Sequence, residues 1–264
     1  MKKALLFDCD GVLADTERDG HLAAFNQMWR ENGVNWQWSV EQYAEKVRIG
    51  GGKERMFSLG QDDDFRAVYN VPESEDAWWK IVAGWHQRKS EIYKELVTSG
   101  AMPGRPGVKR LAEAALAAGW TLAVCSTSAL ASVEAVLHHV IGPETAAKFA
   151  GIFAGDMVKA KKPAPDVYNL AVEYLQSDPA NCVVLEDSRN GLLAATTAGM
   201  TCIITYNDLT KNEDFSEAAI VLSNLGEPAG EPITVAQNYT DANPGGYFSI
   251  VDLENVLKSG KSCP

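Results

Sequence analysis

No run in this 264-residue chain approaches the roughly 18–20 apolar residues that a membrane span requires. Cysteine pairs at zinc-binding spacing are missing too, as are internal repeats, low-complexity tracts and coiled-coil heptads. Of the five cysteines, Cys9, Cys125, Cys182 and Cys202 fall in or at the ends of short apolar runs, and Cys263 lies in a polar tail. That is the usage of a reduced protein, not of a disulfide scaffold. Positive charge is scarce. With 24 Lys and Arg against 35 Asp and Glu, the formal net charge is −11, which argues against nucleic acid or an anionic membrane as a partner. An anionic small molecule is still allowed, because local cations decide its binding. The first apolar run begins within a few residues of Met1, so no signal or transit peptide is expected.

What is present is a series of short apolar runs of strand length, at residues 4–8, 121–125, 152–154, 182–186 and 201–205. Helical patterns separate most of them: Gly107 to Ala118, Ala129 to Val140, Pro165 to Leu175 and Ser188 to Ala198. Strands alternating with helices predict an α/β fold, a Rossmann-like parallel sheet with helices packed on it. Between the first and second runs lies an insertion without strand-like character. Its segments Gly20 to Asn32, Val40 to Val47, Lys53 to Leu59 and Asp76 to Leu96 read as helices. The expected domains are therefore an α/β core of 1–16 and 96–264 and an inserted all-helical domain of 17–95. Trp29, Trp36, Trp38, Trp78, Trp79 and Trp85 all fall in the insertion, where they are expected to pack a small bundle. Gly100, Pro103, Gly104, Pro106 and Gly107 mark the returning linker, on which Arg105 is placed to reach the cleft between domains. Residues 226–245 read as loop, and Tyr247 to Leu257 as a last strand, Phe248 to Val251, followed by a helix.

The chemistry sits at the ends of the strands. After Ala4-Leu5-Leu6-Phe7 come Asp8-Cys9-Asp10-Gly11. Carboxylates two residues apart at a strand end share one side of the sheet, while Cys9 between them points to the other. Such a pair is costly unless a cation or a proton sits between its members. The run Leu122-Ala123-Val124-Cys125 ends in Ser126-Thr127-Ser128. Lys161-Lys162-Pro163-Ala164-Pro165-Asp166 then holds a lysine at a helix entrance, and Cys182-Val183-Val184-Leu185 ends in Glu186-Asp187-Ser188. Each alone is ordinary turn and cap chemistry. In this order they supply a nucleophile pair, a hydroxyl, a cation and a metal ligand, all where ligands bind an open α/β sheet.

These four motifs, spanning residues 4 to about 205, resemble the signatures of the haloacid dehalogenase-like superfamily of phosphoryl-transfer enzymes. Within it, Phe7 to Leu13, Ile49-Gly50-Gly51-Gly52-Lys53-Glu54-Arg55-Met56, Leu122 to Ser128 and Ile152-Phe153-Ala154-Gly155-Asp156 are similar to the CbbY group. That group is known for sugar-bisphosphate phosphatases, notably one acting on xylulose 1,5-bisphosphate. The resemblance implies a cytoplasmic phosphatase, or a stromal one if a plastid transit peptide has been removed. It is expected to act as a monomer on a small phosphorylated sugar. Asp8 would be the nucleophile that forms an aspartyl-phosphate, and Asp10 the acid and then the base. Mg²⁺ would be held by Asp8, Asp187 and the Asp10 carbonyl, with Glu186 a further ligand, direct or through water. Ser126, Thr127 and Lys162 would bind the transferring phosphate. The helical insertion would act as a cap. Lys53, after three glycines, Arg55 and Lys89 would offer it a second cationic point, and Thr16, Glu17 and His21 would face the cleft as substrate-binding residues.

Three other readings stay open on the residues. A β-phosphoglucomutase-like mutase shares the phosphoenzyme but lets a sugar hydroxyl attack it in place of water. A non-catalytic sugar-phosphate sensor has no need of the nucleophile, and a dehalogenase has no need of Mg²⁺ or of the Glu186-Asp187 pair.

Overall fold

The computed structural model describes residues 2–99 and 102–259, so Gly100 of the linker and Cys263 lie outside the described residues. Seven strands follow in chain order: β1 (Ala4–Phe7), β2 (Thr121–Cys125), β3 (Gly151–Phe153), β4 (Cys182–Glu186), β5 (Thr201–Thr205), β6 (Ile220–Leu222) and β7 (Val235–Asn238). They form one sheet in the order β3-β2-β1-β4-β5-β6-β7, parallel except for β7. β1, β4 and β5 are buried along their whole length, as continuous apolar runs in a parallel sheet must be. β1 pairs on one side with β2 and on the other with β4. The chain thus runs outward from β1 to β3 in one direction and from β4 to β7 in the other. The reversal leaves a crevice at the carboxyl ends of β1 and β4.

Contacts divide the chain into two units, Met1–Asp15 with Pro103–Pro264 and Thr16–Met102. The second unit contains helices and loops and no strand among its described residues. A π-helical stretch, Glu17–Leu22, leads into α1 (Ala23–Glu31), followed by α2 (Val40–Val47), α3 (Gly52–Phe57), α4 (Asp63–Val68) and α5 (Glu75–Thr98). Polar caps set the starts: Ser39 and Gln42 form a reciprocal box at α2, Asp62 accepts from Phe65 N–H at α4, and Ser74 from Ala77 N–H at α5. The core is aromatic. Phe25 packs on Trp29, Trp38 and Tyr43, and Trp78 and Trp85 meet edge to face with ring centroids 5.5 Å apart.

In the sheet unit, α6 (Val108–Ala117), α7 (Leu130–Ile141), α8 (Pro143–Ala146), α9 (Asp166–Leu175), α10 (Arg189–Thr197) and α11 (Ile250–Ser259) flank the strands. Val167, Tyr168, Ala171 and Leu175 of α9 and Leu192 and Ala195 of α10 bury Leu6, Ala123, Val184 and Ile204 on one face of the sheet. Two expectations for the tail need correction. Residues 226–245 are not all loop, because β7 pairs antiparallel with β6. This edge strand is largely exposed and carries no apolar alternation, so only its backbone pairing defines it. No strand forms at Phe248–Val251. Ser249 Oγ accepts from Asp252 N–H and Asp252 Oδ2 accepts from Ser249 N–H, a cap that starts α11 inside the apolar run.

Six of the seven tryptophans lie in the helical unit, so their fluorescence reports its unfolding. Phe25→Ala, at a fully buried site touching three other rings, should destabilise this unit by about 3–5 kcal/mol. A denaturant midpoint unchanged from wild type would show that this cluster is not its core.

Candidate active site

The ladder between β1 and β4 extends one residue past β1, with Asp8 N–H donating to Leu185 O at 2.9 Å. This holds the Asp8 backbone rigidly at the mouth of the crevice. A tight turn follows, in which Leu13 N–H donates to Cys9 O and Gly11 N–H to Ala14 O. Gly11 adopts φ +81° with its Cα against the Asp187 carboxylate and the Asn207 amide, where any Cβ would overlap both.

Lys162 reaches this point from the segment before α9 and is buried there. Its Nζ donates to Asp8 Oδ1 at 2.7 Å, Glu186 Oε1 at 2.5 Å and Cys125 O at 2.9 Å, so all three ammonium protons are used. Burial works to strip the proton from Lys162, but the Asp8 and Glu186 carboxylates outweigh it and hold the group above the ordinary lysine range. Asp8 shows the converse balance. Burial pushes its carboxyl up to about 8 against the pull of Lys162, and the charges of Glu186 and Asp10 add to the rise. Buried Cys9 is pushed well up as well, chiefly by desolvation, so it is core and not a thiolate.

Oxygens of Asp8, Glu186 and Asp187 lie within 4.8 Å of one another. Three hard carboxylate donors at that spacing fit a divalent cation of the Mg²⁺ or Ca²⁺ type. Glu186 is fully buried and already engaged: Oε1 accepts from Lys162 and from Tyr168 OH at 2.6 Å, and Oε2 from Asp187 N–H at 3.1 Å. Its first role in the structure is to anchor Lys162. Ser126 is buried, and its Oγ accepts from Ser128 N–H at 3.1 Å; Thr127 is partly exposed beside it. Gly155 packs directly on Thr127 O, closing this loop from the β3 side.

Asn207 and Tyr168 went unread in the sequence, and Ser128, read there as part of the hydroxyl cluster, has a partner that its spacing did not show. Ser128 Oγ donates to Asp10 Oδ2 at 2.5 Å and so orients it. Asn207 Nδ2 donates to Asp187 Oδ2 at 2.8 Å. Tyr168 bonds Glu186 as above. The polar loop after β5 could have pointed to Asn207, but nothing distinguishes Tyr168 within its helix. Arg105, expected to reach the cleft from the returning linker, is engaged within the sheet unit. It does not offer its charge to a ligand; it is buried and donates to backbone carbonyls of the sheet unit.

The candidate residues of the helical unit form two groups. Lys89 is buried, 2.6 Å from His21 Nδ1 and over the rings of Phe25 and Tyr93. An ammonium cannot accept, so His21 Nδ1 is the acceptor. In the second group, Glu17 Oε2 accepts from Tyr43 OH at 2.5 Å and pairs with Arg55 Nη1 at 3.4 Å. Arg55 Nε donates to Ile49 O at 2.9 Å, tying down the approach to the triple glycine. Lys53 is exposed in the first turn of α3, and Thr16 is fully buried ahead of the π-helical stretch.

The parallel sheet thus carries a buried lysine–carboxylate cluster at its switch point, where an enzyme of this fold class binds its ligand. The family model for haloacid dehalogenase-like hydrolases matches residues 2–199. The chain belongs to that family, and within it to the CbbY-like group of phosphatases. A CBBY-like protein of Arabidopsis thaliana is 46% identical over 239 residues, 89% of this chain and 73% of the relative. The plasmid-encoded CbbY of Cupriavidus necator is 38% identical, over 88% of each chain. Among solved structures, CbbY of Rhodobacter sphaeroides with phosphate matches with TM-score 0.74 and 38% identity, over 87% of this chain and 97% of that one. A mutant of the same protein, with the same scores, is in complex with xylulose-(1,5)-bisphosphate.

The raised Asp8 pKa has a signed consequence. In the metal-free protein the folded state keeps a proton that the unfolded chain releases near pH 4. The stabilisation is full below that pH and is lost as pH rises to about 8. In chelator, the urea midpoint of wild type relative to Asp8→Asn should therefore fall across this interval. A difference that is flat or rises would refute the assignment.

Proposed function

We propose that this chain is a Mg²⁺-dependent phosphatase acting on a sugar bisphosphate, a ketopentose 1,5-bisphosphate of the xylulose type, through an aspartyl-phosphate on Asp8. The observation that carries this is the convergence of Asp8, Lys162, Glu186 and Asp187 at the strand ends, with Asp10 oriented two residues beyond the nucleophile. The four buried free cysteines suit a reducing compartment such as the cytoplasm or the stroma. No helix among the described residues is long and apolar enough to cross a membrane.

Asp8 attacks phosphorus, and the bond to the sugar oxygen breaks as Asp10 donates its proton to that oxygen. Asp10 then takes a proton from the water that hydrolyses the acyl phosphate, returning Asp8 as a carboxylate and releasing inorganic phosphate. Ser126, Thr127 and Lys162 hold the phosphate oxygens, Lys162 supplying positive charge in a site shielded from water. Mg²⁺, held by Asp8, Asp187 and the Asp10 carbonyl with Glu186 as a further ligand, would neutralise phosphate charge and favour the ionised nucleophile. In the helical unit, Lys89 is committed to His21 and Arg55 to Glu17 and the Ile49 carbonyl, so of the three candidate cations exposed Lys53 is the one assigned to the distal phosphate. The bisphosphate bound to the Rhodobacter sphaeroides mutant supports this choice of substrate.

Asp8→Asn should abolish phosphate release while keeping substrate binding, and chelation of Mg²⁺ should silence the wild type reversibly. Appreciable turnover by Asp8→Asn, free of deamidation, would sink the covalent route. Isomerised sugar phosphate without free phosphate would mark a mutase. Lys53→Ala should lower kcat/KM roughly 10–100-fold for the bisphosphate, the effect of one lost charge-assisted contact, and far less for a monophosphate. Equal losses on both substrates would remove the bisphosphate reading.

A further inference from the structure

Arg105 stands just after the chain returns to the sheet unit. Its side chain is 8% exposed. Its own N–H donates to Leu13 O at 2.9 Å, the last residues of the turn that follows the nucleophile. The guanidinium then reaches four carbonyls. Nη1 donates to Gly11 O and to Thr205 O, the latter at 2.8 Å; Nη2 donates to Tyr206 O at 2.7 Å and Ser223 O at 2.8 Å. Its nearest carboxylate, Asp15 Oδ1, is 3.6 Å from Nε and belongs to a half-exposed side chain. A buried guanidinium is costly and is retained only where its hydrogen bonds are satisfied, so this one is bound firmly to the backbone it touches.

Three of those carbonyls, of Gly11, Thr205 and Tyr206, belong to the two segments that grip Asp187, and the fourth, of Ser223, follows β6. Gly11 follows Asp10 and lies directly against the Asp187 carboxylate and the Asn207 amide. Tyr206 precedes Asn207, whose Nδ2 donates to Asp187 Oδ2 at 2.8 Å. Asn207 Oδ1 in turn accepts from Leu209 N–H at 2.9 Å and Thr210 N–H at 3.2 Å, so its side chain cannot swing independently of the loop. One planar donor set therefore spans both jaws of the clamp on a metal-binding carboxylate. A lysine, with one nitrogen and three protons, cannot satisfy all four carbonyls that the two Arg105 nitrogens hold.

We propose that Arg105 is a positioning residue for the divalent-metal site, setting the geometry of Asp187 through the Gly11 turn and the Tyr206–Asn207 loop. The inference rests on the metal-assisted reading of the site above. It predicts that Arg105→Lys weakens Mg²⁺ binding to the full chain by roughly 10–100-fold, the range for loss of a partner that orients a metal ligand. Calorimetry with Mg²⁺ alone reads this without any substrate. At saturating Mg²⁺, kcat should return to within a few-fold of wild type and the substrate KM should stay unchanged.

Arg110→Lys is the control. Arg110 also donates to three backbone carbonyls, of Leu225, Gly226 and Phe248, but these lie in the tail and not around Asp187. It should cost stability and leave Mg²⁺ affinity near wild type. Arg105→Lys and Asn207→Ala should be non-additive in Mg²⁺ affinity, because they act on one clamp. Should Arg105→Lys fail to fold, the wild type carries the test. Mg²⁺ should slow hydrogen exchange of the Arg105 guanidinium, since coupling between two sites is reciprocal. Mg²⁺ affinity equal in Arg105→Lys and wild type, an equal loss in Arg110→Lys, or exchange unaffected by Mg²⁺ would each overturn the proposal. A wild type that binds no Mg²⁺ would overturn the metal reading and this inference with it.

Discussion

One ammonium group shared between two buried carboxylates organises the sheet unit. Lys162 ties Asp8 at the end of β1 to Glu186 at the end of β4 and to the Cys125 carbonyl at the end of β2. Without it, three carboxylates within 4.8 Å would have to take up protons or open to water. Losing one partner of such a pair strands an uncompensated charge, so these side chains are held as a set. Even with the lysine in place, Asp8 stays poised towards its protonated form. A divalent cation held by the acidic cluster beside it would favour the ionised form.

Around that contact lies a ring of side chains that hydrogen-bond the clustered carboxylates and orient them. Ser128 holds Asp10, Tyr168 holds Glu186, and Asn207 holds Asp187. Gly11, Gly155 and Gly191 work by omission: a Cβ at any of them would overlap Asp187, Thr127 or Glu186. Backbone approaches the charged groups this closely only where no side chain intervenes, so the geometry is held by hydrogen bonds and missing methyl groups together.

The helical unit is built on different physics. Its core is a cluster of aromatic rings, and its polar residues pair locally, His21 with Lys89 and Glu17 with Tyr43 and Arg55. These pairs stiffen the π-helical stretch and the approach to Gly50-Gly51-Gly52, leaving Lys53 in solvent. Arg88, next to Lys89, spends its charge on Glu31, Glu91 and Glu95 at the surface. Neighbouring cations on one helix thus serve opposite ends, one buried against rings and one balanced by acids.

By itself the sequence determined the parallel α/β core, the helical insertion and the order of the four strand-end motifs. Continuous apolar runs encode buried strands, 3.6-residue periodicity encodes helices, and the charged residues follow the runs directly, so all of these are local signals. The edge strand Val235–Asn238 was hidden, since it depends on a partner strand, whereas the cap that turned Phe248–Val251 away from a strand is a local pair of side-chain-to-backbone bonds between Ser249 and Asp252 that the apolar run masked. The commitment of Lys89 to His21, 68 positions away, was equally unreadable, because a lysine on a helix looks the same in the sequence whether it is buried or solvated. The residues that aim the site were also left to the tertiary structure. Ser128 meets Asp10 across 118 positions and Arg105 meets Gly11 and Thr205 across 94 and 100. Contacts at such separation leave no periodicity or spacing in the chain; they exist only once strand order and packing have brought the loops at the carboxyl ends of the sheet into one place.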